Sequence, residues 1–147
     1  MPGAPSSVLF VCNLNRVRSP MAAGLMRRLY GAAVIAESCG LQPCEEIDPM
    51  VVAVMQEVGV DLMDHQPRGL ADYAKIEFEQ IIALSGEAAP RAQAVAAARG
   101  IPVDCWITED PTAAEGSREM RLEAYRQIRR TLEAQIVERF GPPQEWE

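Results

Sequence analysis

"VLFVCNLNRVRSPMAAGLM" (8–26) passes from an apolar, β-branched run into an apolar helical pattern through a connection of different character. That connection, Cys12 to Ser19, holds one cysteine, two asparagines and two arginines. Val8–Cys12 reads as a short buried strand. Ser19 and Pro20 read as the N-cap and first position of a helix reaching Tyr30, with Met21, Leu25 and Leu29 on one face. A strand that ends in cysteine and feeds a helix opening on Arg-Ser-Pro asks for a chemical reason.

The rest of the chain alternates in the same way. "VIAES" (34–38) is a second strand. Asp48-Pro49 opens a helix with Val51, Val54, Met55 and Val58 at core spacing, ended by Gly59. Residues 60–75 read as loop, with a helical turn near "RGLADYA". "EQIIALS" (79–85) is a third strand, "PRAQAVAAARG" (90–100) a helix closed by Gly100, and "VDCWIT" (103–108) a fourth strand. From Ser117 to Phe140 a long helix aligns Tyr125, Ile128, Leu132, Ile136 and Phe140. Gly141-Pro142-Pro143 ends it, and the last residues are expected to fray. Strands alternating with helices predict an α/β fold: a three-layer sandwich with about four parallel strands and helices on both faces. One domain is expected over 1–147, with an ordered core about 6–141.

Composition narrows the classes. The chain has 147 residues, 48% of them apolar and 24% charged, as in an ordinary globular domain. A net charge of −7 argues against a general nucleic-acid binder, though not against a local anion site. The four cysteines, Cys12, Cys39, Cys44 and Cys105, do not read as a secreted disulfide framework. "MPGAPSS" has neither the basic start nor the apolar run of a signal peptide, and no stretch is apolar enough to span a membrane. A reducing, cytoplasmic protein is expected, and a monomer by default.

The first strand-to-helix turn of such a sheet lies at the carboxyl ends of the strands, where ligands of open α/β sheets bind. Loop amides and the helix dipole converge there on one point. Together with the Arg18 guanidinium they would stabilise a Cys12 thiolate and make it a nucleophile. Arg18 offers a planar fork that fits two oxygens of a tetrahedral oxyanion. Asn15 tolerates the positive φ that a tightly curled anion loop needs. Ser19 can donate to the sulfur, cap the helix, or do both. The plainer alternative is a buried strand cysteine followed by an exposed loop arginine.

"VLFVCNLNRVRSPMA" resembles the active-site loop of the low-molecular-weight protein tyrosine phosphatases, a family that includes related arsenate reductases. The likeness extends over nearly the whole chain: "ESCG" (37–40), "DPMVVAVMQEVGVDLMDHQPRGL" (48–70) and "EDP" (109–111) are similar to further family segments. The resemblance implies a four-stranded parallel sheet and a phosphocysteine mechanism on Cys12. Asn13, Leu14, Asn15, Arg16, Val17, Arg18 and Ser19 would then form the phosphate-binding loop. It also implies that Asp110 is general acid and later general base. Alternatively Asp110-Pro111 is only a turn, or Glu109 takes the role. His65, Ser38, Asn15 and Ser19 would form a supporting hydrogen-bond network, against a plain surface reading of His65. A lone histidine and the Cys39–Cys44 spacing make no zinc site, and no metal or organic cofactor is expected.

Several residues depart from the family pattern. Leu14 stands for the usual loop glycine, Arg16 for an apolar residue and Val17 for a second loop cysteine found in many relatives. "DPTAAEGS" (110–117) lacks the aromatic pair that lines a phosphotyrosine groove. "LSGEAA" (84–89) and residues 110–130 look closer to the arsenate reductase branch, without its redox cysteines; Ser85 occupies the first of those positions. Cys39, Cys44 and Cys105 read as inert packing. The leading expectation is a phosphomonoesterase acting on a phosphorylated protein or small aryl phosphate. The alternatives are an arsenate reductase using another thiol, such as Cys39, Cys44 or an external one, and a non-catalytic oxyanion-binding regulatory module.

Overall fold

The computed structural model describes residues 5–143, so the fraying expected of the last residues lies outside the described residues, as do residues 1–4. Four parallel strands make one sheet: β1 (Ser7–Cys12), β2 (Ile35–Gly40), β3 (Gln80–Ala83) and β4 (Val103–Cys105). Their spatial order is β2-β1-β3-β4. The chain crosses from β1 to β2 on one side and returns on the other with β3, so the order reverses at β1. The crevice at the carboxyl end of β1 is therefore the switch point of the sheet, and Cys12 stands at its lip.

Alternation along β1 divides the core. Val8, Phe10 and Cys12 join the larger apolar cluster with helices α1 (Arg18–Tyr30), α2 (Pro49–Gln56) and α4 (Arg118–Phe140). Leu9 and Val11 face the smaller cluster with α3 (Ala88–Arg99) and the short 3₁₀ turn Leu70–Tyr73. This is the three-layer arrangement that the alternating pattern predicts. Helix α4 buries Leu122, Tyr125, Ile128, Leu132, Ile136 and Phe140 along one stripe. On α3 the buried face is Ala88, Ala92 and Ala96, small residues that bring the helix close to the sheet. Asp48 caps α2 by accepting from the Met50 amide, with Pro49 at the first position.

Element ends shift for local reasons. Helix α1 begins at Arg18 after Val17, not on a Ser19 cap, because the Ser19 hydroxyl is engaged elsewhere. β2 continues to Gly40, since Cys12 still pairs with Gly40. β4 stops at Cys105 because its partner β3 ends at Ala83. Helix α3 starts at Ala88, two residues before Pro90, because Ser85 Oγ accepts from the Ala88 amide. Helix α2 gives way after Gln56 to tighter turns, with the Val58 amide on Met55 O, before Gly59 takes φ 77°. Among the described residues, no helix is long and apolar enough to cross a membrane.

Leu132 is fully buried at the centre of the α4 stripe. Leu132→Ala should lower unfolding free energy by about 2–5 kcal/mol in urea titration. A loss below ~1 kcal/mol would show that α4 does not seal that face.

Candidate active site

The Cys12–Ser19 loop is built so that its carbonyls point away from its centre. Cys12 O, Asn13 O, Leu14 O and Arg16 O accept from the amides of Leu41, Gln42, Cys44 and Asp48 at 2.9–3.2 Å. The 41–48 segment thus straps the outside of the loop through four of its amides. Among the described residues, no backbone amide of Asn13 to Val17 has a protein acceptor. A peptide plane whose C=O is turned outward presents its N–H inward, so these donors and the start of α1 form a concave anion cradle.

Asn15 holds the curl. It is the one non-glycine residue with positive φ among those described, at 54°. It is fully buried, and both ends of its amide are saturated. Nδ2 donates to Ser19 Oγ at 2.8 Å and Ser38 Oγ at 2.9 Å. Oδ1 accepts from the Arg68 amide at 2.7 Å and faces His65 Nε2 at 3.2 Å. Because that oxygen is an acceptor, Nε2 carries the proton. Burial lowers the His65 pKa below 6.5, which keeps the ring neutral and the tautomer fixed. The structure therefore joins Asn15, Ser19, Ser38 and His65 in one network.

Ser19 Oγ lies 2.9 Å from Cys12 Sγ and 3.2 Å from the Cys39 carbonyl. The hydroxyl has one proton for these two directions. With a protonated sulfur, S–H donates to Oγ and the hydroxyl turns to Cys39 O. With a thiolate, the hydroxyl turns to the sulfur. Arg18 is held by Nη1 on Thr108 O at 3.0 Å, and Thr108 is tied by Oγ1 to Leu84 O at 3.0 Å. The guanidinium is thereby braced from the outlet of β4.

A cavity of about 330 Å³ opens over this loop. Cys12, Arg18 and Asp110 all border it, with the loop residues Asn13, Leu14, Arg16 and Val17 and with Glu87 and Thr112. Asp110 Oδ1 accepts from Thr112 N at 3.0 Å and Thr112 Oγ1 at 2.7 Å, and Oδ2 takes part in neither bond. Glu109 does not border the cavity. The cysteines separate. Cys39 is fully buried in the cluster on the other face of the sheet, where burial above all pushes its thiol pKa up. Cys44 is half-buried in the strap, and Cys105 is exposed rather than packed. Among the described residues, no three His, Cys, Asp or Glu side chains converge to hold a metal.

Residues 7–138 match the profile of the low molecular weight phosphotyrosine protein phosphatases. The chain belongs to that family. It is 32% identical over 79 residues to the glutaredoxin arsenate reductase of Synechocystis, covering 54% of this chain and 60% of that protein. It is 33% identical over 81 residues to the Ralstonia solanacearum protein named "Probable low molecular weight protein-tyrosine-phosphatase EpsP", covering 54% and 56%. These two alignments thus span little more than half of the relatives. A solved arsenate reductase in a phosphate-binding state superposes with a TM-score of 0.75 at 25% identity, over 92% of this chain and 96% of that one.

Four contributors to the site escape a sequence reading. Thr108 and Arg68 reach Arg18 and Asn15 by hydrogen bonds across distant segments, and Glu87 borders the cavity from the start of α3. Gly40 carries a sequence cue in "ESCG", but its reason is spatial: an added Cβ would lie 2.7 Å from Asn15 N and 2.8 Å from Asn13 O. Gly40→Ala should cost about 1–3 kcal/mol and displace the amide resonances of Asn13–Asn15. Unmoved resonances would mean that β2 does not press on the loop. His65, held neutral, binds fewer protons folded than unfolded, so stability should fall as pH drops below 6.5. His65→Gln should flatten that slope in urea melts across the same range. An unchanged slope assigns it to other groups.

Proposed function

We propose that this chain is a phosphomonoesterase of the protein tyrosine phosphatase type, acting on a phosphorylated protein or a small aryl phosphate. The observation that carries the reading is the convergence of Cys12, Arg18 and Asp110 on one cavity above a cradle of inward-facing amides. The amides and Arg18 bind the phosphoryl oxygens and stabilise their charge in the transition state. Cys12 Sγ attacks phosphorus in line with the ester oxygen. The P–O bond breaks, and the leaving oxygen takes the proton of Asp110. Water then attacks the phosphocysteine, Asp110 accepts its proton, and the S–P bond breaks to return the thiolate and inorganic phosphate. The Ser19 hydroxyl stabilises the sulfur each time it carries charge. Side chains and water carry every step, and the reducing cytoplasm that keeps Cys12 a thiol suits the chemistry.

A second reading, arsenate reduction, draws on the relatives named for that activity, because arsenate has the shape and charge of phosphate. Neither Cys39 nor Cys44 borders the cavity, so the reducing thiol would come from outside the chain.

Phenyl phosphate hydrolysis should vanish in Cys12→Ser and fall roughly 10²–10⁴-fold in Asp110→Asn. Arsenate, assayed in parallel with added small thiols, should be consumed slowly or not at all. Undiminished ester hydrolysis in Cys12→Ser removes the first reading. Thiol-dependent arsenate loss that survives Cys39→Ala and Cys44→Ser, with esters untouched, establishes the second.

A further inference from the structure

Arg16 differs from the rest of the anion loop in bringing a full charge whose donors lack matching acceptors. Its only recorded ionic partner among the described residues is Asp48, with Nη2 and Oδ2 3.9 Å apart, too far for a hydrogen bond. That carboxylate is already engaged. Oδ2 accepts from the Tyr125 hydroxyl at 2.6 Å, and Oδ1 from the Met50 amide at 2.8 Å. The Nε–H of Arg16 is buried without a hydrogen-bond partner among the described residues. A buried donor left unpaired costs about 1–3 kcal/mol, and such a group in a native site calls for an explanation. The Arg16 backbone is pinned at the same time, its carbonyl accepting from Asp48 N at 3.2 Å. The side chain is thus anchored at its base and underused at its tip.

That tip belongs to a residue bordering the same cavity as Cys12 and Arg18. Arg18 has its own anchor on Thr108 O and its own task at the phosphoryl group. We propose that Arg16 binds a second anionic group on the substrate, a carboxylate carried by the leaving portion of the ester. The assignment rests on the phosphatase reading and narrows it to phosphomonoesters with an acidic leaving portion. A carboxylate suits the planar guanidinium fork and supplies acceptors for the Nη donors, which the 3.9 Å gap leaves without a hydrogen bond to Asp48. Among the described residues no aromatic side chain borders the cavity, so charge rather than ring stacking selects the leaving portion. Glu87 borders the remaining mouth and repels a carboxylate there, which makes the recognition directional.

The test compares kcat/KM for 3- and 4-carboxyphenyl phosphate with the matching carbamoylphenyl phosphates, which have nearly the same shape and no charge on the ring substituent. At low ionic strength the wild-type protein should favour the better carboxylate isomer by about fivefold. Arg16→Gln should bring that ratio to one or below, and Arg16→Lys should keep part of it. The ratio is internal to each variant, so a change in absolute rate does not obscure it. A wild-type ratio of one or less overturns the assignment, and so does a preference that persists in Arg16→Gln. With aryl esters hydrolysed but not discriminated, the phosphatase reading stands and Arg16 loses this role. If none of the four esters is turned over, both fall together.

Discussion

A single buried carboxamide holds the site in shape. Asn15 adopts a left-handed backbone that would strain most side chains, and all its side-chain hydrogen-bonding capacity is used on three separate parts of the fold. Ser38 belongs to β2, Ser19 to α1, and Arg68 and His65 to the long connection between α2 and β3. Asparagine alone supplies two donors and two acceptors at that reach together with tolerance of positive φ. An aspartate would place an acceptor opposite two hydroxyl oxygens. A glycine would keep the curl but release the three ties.

The loop thereby gains a polarity that the composition of the chain conceals. A protein with net charge −7 places anion-binding amides, the N-terminus of α1 and two arginines around one sulfur. Local dipoles prevail because exposed charges farther than about 10 Å are largely screened at ordinary ionic strength. The sheet supplies the platform. Reversal of strand order at β1 opens the crevice, while the strap and β2 press on the loop from outside. Asp110 reaches the same cavity from beyond the edge strand β4 while Cys12 ends the interior strand β1, so the proposed nucleophile and acid are set by different strands of one sheet.

Much of this fold is legible in one dimension because it is governed by period and punctuation. The β-branched run before Cys12, the α4 stripe and the Asp48-Pro49 start follow from local rules that tertiary contacts reinforce. Asn15 is legible for the same reason, since positive φ is a local demand. Ser19 shows where such rules stop. As a residue type it favours a helix cap, but a sulfur, a carboxamide and a carbonyl converge on its hydroxyl, and none of these is visible beside it in the sequence. Gly40 has no turn to make, and its need for a missing side chain arises only when β2 meets the loop. The boundary of β4 is equally non-local, because a strand ends where its partner does. Cys105 is the last paired residue of β4, opposite Ala83, and its thiol is exposed.

Surface connections usually accept extra residues, since nothing inside depends on their length. The 41–48 segment is partly exposed, yet the amides of Leu41, Gln42, Cys44 and Asp48 hold outward carbonyls of the loop. An insertion that pulled one of these amides away would free the facing peptide plane to rotate and turn its oxygen toward the cavity. The segment is therefore a poor place to graft a tag or accommodate an insertion, despite its surface position.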